Sequence, residues 1–268
     1  MEVEEAERTA LTIAGSDPSG GAGIQADLKT FAAFEVYGMS AITALTIGNT
    51  CGVTDIQIMD PGFVGDQIRS IGQDIPPAAV KTGLLGSSAI IKKVARALED
   101  WEIPLVVDPV IATKRGDVLL PEEGVQAYRE ELVPLADVLT PNIPEAEQLT
   151  QMSISSHQKM TDAAEKLHQI GCHSVILKAG YFDDWQHSND LYYDGDEMSW
   201  LESKRFSTKH THGAGDAFSA AIAASLAQGT EQKAALKSAK SFVTRGIELA
   251  PHLGKGEGPI FLGHYDRP

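Results

Sequence analysis

The sequence predicts an α/β fold built on a mainly parallel β-sheet, and three observations lead to this class. Short apolar or β-branched runs alternate with longer segments whose apolar residues recur at spacings of three and four, the order of strands and crossover helices. Polar or glycine residues directly follow several of the apolar runs. The chain has 268 residues, which suffices for one large domain or two smaller ones. Because no segment has the composition of a linker, we expect one domain over residues 1–268, with 1–8 as a flexible acidic tail.

The elements follow from these runs in chain order. Apolar, β-branched runs predict strands over residues 9–14 (TALTIA), 40–47 (SAITALTI), 78–81 (AAVK), 105–107 (LVV), 137–139 (DVL) and 174–178 (SVILK). Amphipathic spacing predicts crossover helices over residues 26–34, 63–71, 88–98, 125–132 and 161–170. An Asp-Gly turn between aromatic and aliphatic residues predicts an antiparallel hairpin over 190–201. Helices over 217–226 and 232–249 follow it.

Polar residues stand at the predicted carboxyl ends of four strands. Functional groups in parallel sheets gather at these ends, because the strand exits lie along one edge. Each group alone is also compatible with a plain turn. Since four strand exits share the pattern, we expect one common cleft, formed by residues 15–17 (GSD), 82–84 (TGL), 108–110 (DPV) and 140–142 (TPN).

The segment THGAGD at residues 211–216 precedes an uncharged, helix-forming stretch, AFSAAIAA. Glycines allow backbone N–H groups to approach an anion, and the first turn of a helix adds the positive end of its dipole. Asp216 would lie at the same place. Donors that stabilise a moving phosphoryl group, together with a carboxylate that deprotonates the acceptor, suit phosphoryl transfer to a hydroxyl. The alternative is a structural one, in which Gly213 and Gly215 shape a turn and Asp216 caps the helix.

Composition restricts the partners and the compartment. With 22 Lys plus Arg against 37 Asp plus Glu, the formal charge is −15, which opposes binding to nucleic acid or to an anionic membrane. The acidic excess favours a soluble surface, with adaptation to salt as an alternative. Cys51 and Cys172 lie far apart, outside any CxxC or Cys/His cluster, so neither a disulfide framework nor a zinc site is expected.

The first residues and the lengths of the apolar runs bear on the cellular compartment of the protein. The first eight residues, MEVEEAER, lack the basic-then-apolar order of a secretory signal. Apolar runs stay well short of the ~20 residues that span a bilayer. Together with the wide separation of the two cysteines in the sequence, these features predict a cytoplasmic protein.

A glycine-rich segment, GSDPSGGAGIQAD, follows the first predicted strand at residues 15–27. Residues 21–26 match the G-x-G-x-x-A form of a dinucleotide-binding turn, with Glu35 and Asp55 as imperfect candidates for the ribose-binding acid. Five residues separate Gly15 from the first matching glycine, although a Rossmann turn is tight, so this alternative is disfavoured. The sequence also lacks the G-x-x-x-x-G-K-[ST] motif of a P-loop.

Residues 14–30 closely resemble the opening of the bacterial hydroxymethylpyrimidine/phosphomethylpyrimidine kinases of thiamine biosynthesis. The resemblance implies a ribokinase-like fold, with a central, mostly parallel sheet flanked by helices on both faces. It also implies MgATP-dependent transfer of a γ-phosphoryl group, a heteroaromatic substrate with a hydroxymethyl group, and a homodimer. Further correspondences cover almost the whole chain, at residues 80–86, 106–110, 114–117, 139–147, 177–180, 212–216 and 254–259.

The resemblance also implies roles for individual residues. Asp216 would be the general base, beside the amides of Gly213, Ala214 and Gly215. Lys178 and Thr211 would lie near the nucleotide phosphates together with Asn142, and Asp108 and Glu145 would bind Mg²⁺. Without the resemblance, Asn142 and Glu145 read as caps of a helix after Pro141. The substrate-binding residues would be Gly15, Asp27, Thr46, Gly48, Leu84 and Val110.

Two positions depart from the pattern of these pyrimidine kinases. They commonly have cysteine where this chain has Asp216, and glutamine where it has Gly48. An aspartate is typical of sugar and nucleoside kinases in the wider superfamily and preserves the chemistry. The missing glutamine amide would weaken discrimination between rings by ~1–3 kcal/mol unless water or Asn49 replaces its hydrogen bond.

We therefore expect ATP-dependent phosphorylation of 4-amino-5-hydroxymethyl-2-methylpyrimidine and of its monophosphate. Lys114 and Arg115 are candidates to hold the extra phosphate in the second step, or else belong to a solvated loop. A pyridoxal/pyridoxine kinase is the alternative within the superfamily. The alternatives of another class are a non-catalytic vitamin-binding protein and an NAD-dependent oxidoreductase.

Overall fold

The computed structural model describes residues 8–112, 119–180 and 187–263. Residues 1–7 of the predicted tail, and Lys114 and Arg115, lie outside this part. Within it the strands are β1 (Thr9–Ser16), β2 (Tyr37–Asn49), β3 (Gly52–Ile58), β4 (Ala79–Thr82), β5 (Leu105–Val107), β6 (Val138–Leu139), β7 (Val175–Leu177), β8 (Asp190–Tyr193) and β9 (Met198–Leu201). The helices are α1 (Gly23–Ala33), α2 (Pro61–Asp74), α3 (Ser88–Leu98), α4 (Glu122–Ala127), α5 (Ile143–Thr150), α6 (His157–Ile170), α7 (Ala214–Ala227) and α8 (Gln232–Glu248).

One sheet joins the described strands in the order β3-β2-β1-β4-β5-β6-β7-β8-β9. The six strands from β2 to β7 in this order are parallel, whereas β3, β8 and β9 pair antiparallel at the two edges. The six predicted inner strands and the hairpin are confirmed. Because the chain proceeds from β1 to β2 on one side and continues at β4 on the other, the order reverses at β1, which is where α/β sheets open a crevice.

Helices cover both faces of the sheet, because neighbouring side chains of a strand point to opposite faces. On one face, Leu11 and Ile13 of β1 belong to a core closed by α2, α3 and α6. On the other face, Ala10 packs in a core formed with α1, α7 and α8. Helix α7 is buried from Ala217 to Ser225 and is rich in alanine, so it packs closely against α1 and α8.

Three segments differ from the sequence-based expectation. Strand β3 was not predicted, because it is an edge strand with mostly exposed residues, in which polar side chains interrupt the apolar ones. The predicted helix over 125–132 is α4 followed by a π-helical turn at Tyr128–Leu132 and a 3₁₀ turn at Val133–Leu135. Helix α5 was not assigned as an element, and it begins where capping by Asn142 was considered.

Candidate active site

A cleft of about 550 Å³ lies at the carboxyl ends of the parallel strands. Its walls are the glycine-rich loop after β1, the β2–β3 ribbon, the loops after β5 to β7, and the first turn of α7. The predicted convergence of strand exits is therefore present. Of the predicted site residues, those that line the cleft are Gly15, Thr46, Gly48, Leu84, Asp108, Val110, Asn142, Glu145, Lys178, Thr211, Gly213, Ala214, Gly215 and Asp216.

The start of α7 forms a tight turn that brings its amides to the cleft. Gly213 precedes the helix with a φ of 78°, and a Cβ there would lie 1.7 Å from the carbonyl oxygen of Gly21. The amide of Ala214 donates to the carbonyl of Thr211 at 3.2 Å, so it is used inside the turn. The amides at positions 215 and 216 are among those that helix geometry leaves without an intrahelical partner. They can face an anion, with the positive end of the helix dipole behind them.

The carboxylate of Asp216 is held by a buried lysine that the sequence reading did not identify. Lys81 of β4 is fully buried, and its Nζ lies 3.3 Å from Oδ1 of Asp216. The same ammonium lies 2.9 Å from each carboxylate oxygen of Asp27. Burial opposes the charge of Lys81, but Asp27 and then Asp216 more than offset it, so the pKa of Lys81 is raised. This ion pair therefore connects Asp216, which lines the cleft, with Lys81, which is buried in the sheet.

Asp27 is fully buried and is not among the residues that line the cleft. Its side chain is 0 % exposed, is absent from the lining of the cleft, and accepts hydrogen bonds from Lys81 and from the hydroxyl of Thr12. Burial, with the charge of Asp216, raises the pKa of Asp27 to about 7, although Lys81 acts in the opposite direction. Asp27 was predicted to bind the substrate, but in this structure α1 turns the residue toward the sheet and away from the cleft lining.

The glycine-rich loop is organised around Asp17. Its carboxylate accepts hydrogen bonds from the amides of Ser19 and Ala22, each at 2.9 Å, and from the hydroxyl of Ser19 at 2.7 Å. His212 Nε2 lies 2.8 Å from the same carboxylate and links the loop to the turn before α7. Burial alone would raise the pKa of Asp17, but His212 and Ser19 lower it to about 2. The hydrogen bond to Asp17 raises the pKa of His212 against the effect of burial.

We expect Asp17→Asn to destabilise the protein in a pH-dependent way. The Asp17 contribution is present above the ordinary aspartate pKa and is lost as pH falls toward about 2. The His212 contribution is complete below the ordinary histidine pKa and is lost as pH rises through its raised value. The difference between wild type and variant should therefore be greatest between about pH 4 and pH 6.5.

Because His212 is one-third exposed, we expect a maximum difference of about 1–2 kcal/mol. Urea unfolding of both proteins at pH 5 and pH 9 measures it. Asp66→Asn on the surface of α2 serves as the control, because Asp66 pairs with an exposed arginine. A difference between wild type and Asp17→Asn that is equal at both pH values would contradict the assignment.

A second charged group lies deeper in the cleft. Nζ of Lys178 is 3.0 Å from Oδ1 of Asp108, and Oδ2 of Asp108 accepts a hydrogen bond from Ser219 at 3.2 Å. Burial would lower the pKa of Lys178, but Asp108 and Glu145 raise it. The lysine is therefore charged and lies beside the first turn of α7, where a Cβ on Gly215 would be 3.4 Å from Nζ. This is a suitable position for a cation that binds phosphate.

Asn142 and Glu145 form a capping box at the start of α5. The amide of Glu145 donates to the side chain of Asn142 at 2.9 Å, and the amide of Asn142 donates to the Glu145 carboxylate at 2.8 Å. Burial raises the pKa of Glu145 to about 8, with Lys178 opposing this and Asp108 adding to it. The structural alternative considered for both residues is thus present, and the same residues line the cleft.

The donors near Asp108 and Glu145 fit a hard divalent cation. Both side chains are almost fully buried, both residues line the cleft, and carboxylate oxygens are ligands that Mg²⁺ prefers. The described residues contain no group of three or more His, Cys, Asp or Glu side chains arranged for a metal. A magnesium ion here would therefore depend on substrate phosphates and water for most of its coordination, as is usual for this ion.

The far end of the cleft is apolar on one side and charged on the other. Phe206 and the α8 residues Val243 and Ile247 provide the apolar side. Lys240 donates to Asp190 at 2.7 Å, and both side chains are largely buried. An apolar slot beside fixed polar groups suits a planar base. No sequence motif marked this end, because its residues come from separate segments after β8.

The fold and the site define the protein as a phosphotransferase with a ribokinase-like architecture. An amide-rich helix start, the carboxylate of Asp216 and the nearby ammonium of Lys178 are groups that phosphoryl transfer uses. The chain belongs to the phosphomethylpyrimidine kinase family, whose model matches residues 17–261.

Individual relatives agree with this membership. The hydroxymethylpyrimidine/phosphomethylpyrimidine kinase of Bacillus subtilis (strain 168) is 43% identical over 251 residues, which cover 93% of this chain and 93% of that protein. The enzyme of the same description from Staphylococcus aureus (strain MSSA476) is 40% identical over 255 residues, covering 94% and 92%. The pyridoxal kinase of Staphylococcus aureus in complex with AMP-PCP and pyridoxal superposes with a TM-score of 0.90 at 38% identity, covering 98% and 96%. No helix of the described residues is long and apolar enough to cross a membrane.

Proposed function

We propose that this protein uses ATP to phosphorylate 4-amino-5-hydroxymethyl-2-methylpyrimidine and then its monophosphate, as a step in thiamine biosynthesis. The observation that carries the proposal is the position of Asp216, whose carboxylate lies at the amide-rich start of α7 and lines the cleft with Lys178. The names of the relatives supply the substrate class, and the complex of a related kinase with AMP-PCP supports ATP as the donor.

In the proposed reaction Asp216 accepts the proton of the substrate hydroxymethyl group. The hydroxyl oxygen then bonds to the γ-phosphorus of ATP while the bond to the bridging oxygen of ADP breaks. The amides of Gly215 and Asp216, with Lys178, stabilise the negative charge on the transferred group. Thr211 and Asn142 lie on the same wall and are proposed to contact the phosphates. Asp108 and Glu145 would hold Mg²⁺, which supplies neutralisation of phosphate charge when bound.

The substrate ring is proposed to lie between Leu84, Val110 and the β2–β3 ribbon. Gly48 stands at an irregularity of that ribbon, and a Cβ there would be 3.0 Å from the carbonyl oxygen of Gly52. The carbonyl oxygen of the Asn49 side chain accepts from the amide of Cys51 at 2.8 Å. The NH₂ group of Asn49 can therefore replace the missing glutamine as a donor to a ring acceptor.

A direct comparison of substrates tests the proposal. ADP release is measured with the hydroxymethylpyrimidine, its monophosphate and pyridoxal at matched concentrations, and kcat/KM is compared. We expect the pyrimidine to exceed pyridoxal by more than ten-fold. A pyridoxal preference above ten-fold would replace the substrate and leave the kinase class intact. That candidate rests on the related pyridoxal kinase structures and on the missing amide at Gly48.

We also propose that the protein is a cytoplasmic homodimer. Cys51 and Cys172 form no disulfide with each other, which suits a reducing compartment. Three apolar side chains of the β2–β3 ribbon are exposed: Leu45 is 46% exposed, Ile47 63% and Val53 43%. A second copy of the chain could cover them. Exposed apolar clusters of this kind mark interaction surfaces.

We expect Ile47→Asp to give a monomer, because a carboxylate cannot be buried in an apolar contact without a partner. Sedimentation equilibrium should give about twice the chain mass of 28.7 kDa for the wild type and about 28.7 kDa for the variant. Ile47→Val, which keeps the apolar surface, should remain dimeric. A monomeric wild type would contradict the dimer without affecting the proposed chemistry.

A further inference from the structure

Lys81 is a fully buried charge that neither the family resemblance nor the proposed reaction assigns. It lies in the centre of the sheet, on β4, with β1 and β5 as its parallel neighbours. Val80 points to the core closed by α2 and α3. Alternation along the strand therefore sends Lys81 to the opposite face, where Asp27 of α1 and Asp216 of α7 lie. A lysine is almost never found in such a position without partners.

The environment of the ammonium holds it in one place. Both oxygens of Asp27 lie 2.9 Å from Nζ, and Thr12, the register partner of Lys81 on β1, donates to the same carboxylate. Gly83 provides the necessary room, since a Cβ there would lie 2.9 Å from Nζ. The remaining contact of the ammonium is Oδ1 of Asp216 at 3.3 Å. Asp27 thus holds the ammonium on the side away from the cleft, and one N–H of the ammonium donates to Asp216, which lines the cleft.

We propose that Lys81 is the positioning residue of the phosphoryl transfer: it binds Oδ1 of Asp216 so that Oδ2 faces the substrate hydroxyl, and Asp27 is its anchor. The inference rests on the proposed role of Asp216 as the general base. Within the described residues, the bond to Lys81 is the one hydrogen bond of the Asp216 carboxylate. Without it, the side chain at the start of α7 is free to rotate away, and a shift of 1 Å is enough to cost about 10²-fold in rate.

The arrangement also tolerates the proton transfer. When the substrate O–H bond breaks and the proton bonds to Oδ2, Oδ1 keeps its contact with the ammonium. Asp27 still neutralises Lys81, so no buried charge loses its partner during the step. The other charged groups around Asp216 are Lys178 and His212, each of which interacts with it electrostatically. Neither of them anchors Oδ1, so neither can replace Lys81.

Kinetics of Lys81→Met test the proposal against a merely structural role. We expect kcat to fall by about 10²-fold or more, while KM for ATP and for the pyrimidine changes by less than about three-fold, since Lys81 is absent from the cleft lining. In an Asp216→Asn background, the same change should cost less than about three-fold in addition, because its effect acts through Asp216. Losses that multiply in the double variant would overturn the proposal.

Two further variants keep the test decisive if Lys81→Met does not fold. Asp27→Asn with Lys81→Met removes both buried charges together, and it should fold and show the same loss of kcat. Asp27→Asn alone should leave KM for the pyrimidine within about three-fold, whereas a substrate contact would raise it at least ten-fold. Lys233→Met, which removes an exposed lysine paired with Glu197, is the control with unchanged kinetics.

The outcomes separate this inference from the proposed function. A wild-type protein that phosphorylates neither the pyrimidine nor pyridoxal would overturn both. An active wild type with near-normal kcat in the folded Asp27→Asn/Lys81→Met variant would overturn only the role of Lys81.

Discussion

The Asp216→Asn enzyme is expected to lose about 10²- to 10⁴-fold in kcat, with KM for ATP and pyrimidine nearly unchanged. Asparagine has the shape of aspartate and can still accept a hydrogen bond from Lys81, but it cannot take the substrate proton. Lys81 keeps both oxygens of Asp27 as partners, so its buried charge stays neutralised and the fold should persist. Steady-state kinetics with a thermal unfolding curve of each protein measure the two effects separately.

A control with the same chemical change is available on the surface. Asp66→Asn removes a carboxylate that is 65% exposed in α2, far from the cleft, and should leave both kinetics and stability almost unchanged. If Asp216→Asn retained more than about a tenth of the wild-type kcat, another group would have to accept the proton. Asp216 would then serve the fold alone, as a partner of the buried Lys81.

Gly213→Ala should lower activity nearly as much, because it changes the geometry of the turn and not the charge of the site. A Cβ at this position would lie 1.7 Å from the carbonyl oxygen of Gly21, a distance that backbone atoms cannot accept. Either the turn before α7 or the glycine-rich loop must move, and the amides of residues 215 and 216 move with it. We expect kcat/KM to fall by about 10²-fold or more.

Gly229→Ala is the matched control for backbone strain. Gly229 has a φ of 75°, close to the 78° of Gly213, but a Cβ there would meet nothing within 4 Å. Alanine in the left-handed region costs roughly 1–2 kcal/mol at either site. Both variants should therefore lose similar stability from strain, and only Gly213→Ala should lose activity. Equal activity in the two would show that the approach of Gly213 to Gly21 does not shape the site.

Much of the fold could be predicted because the inner strands are buried on both sides. Residues of β1 and β5, for example, are short apolar runs whose burial is complete, so their hydrophobicity records the structure directly. Strand β3 is an edge strand with exposed polar residues, so composition gave little sign of it. Helix α5 is short, and the only local sign of it was the Asn-x-x-Glu capping pattern after Pro141.

The site could be predicted in part because some of its residues follow directly after recognisable strands. Glycines and acids at strand exits are visible in the sequence, and most of the residues chosen in this way line the cleft. Lys81 could not be found, because a single lysine within AAVKT does not show which distant residues neutralise it. The surroundings of Asp27 could not be predicted for the same reason: only the packing of α1 on β1 and β4 shows that it faces Lys81. One signal existed, a lysine inside an otherwise apolar strand.

The segment after α8 connects two walls of the cleft. The amides of Gly256 and Glu257 donate to Thr50 at the tip of the β2–β3 ribbon, and the carbonyl of Gly258 accepts from the amide of His212. Residues 256–258 thus link the tip of the ribbon to the turn before α7, and they belong to none of the sheet's strands. A protease that cleaved once near Leu253, whose side chain is 59% exposed, would separate this link from α8 and loosen its hold on both walls. Turnover would then disappear while the helical and strand signals of the folded protein remained.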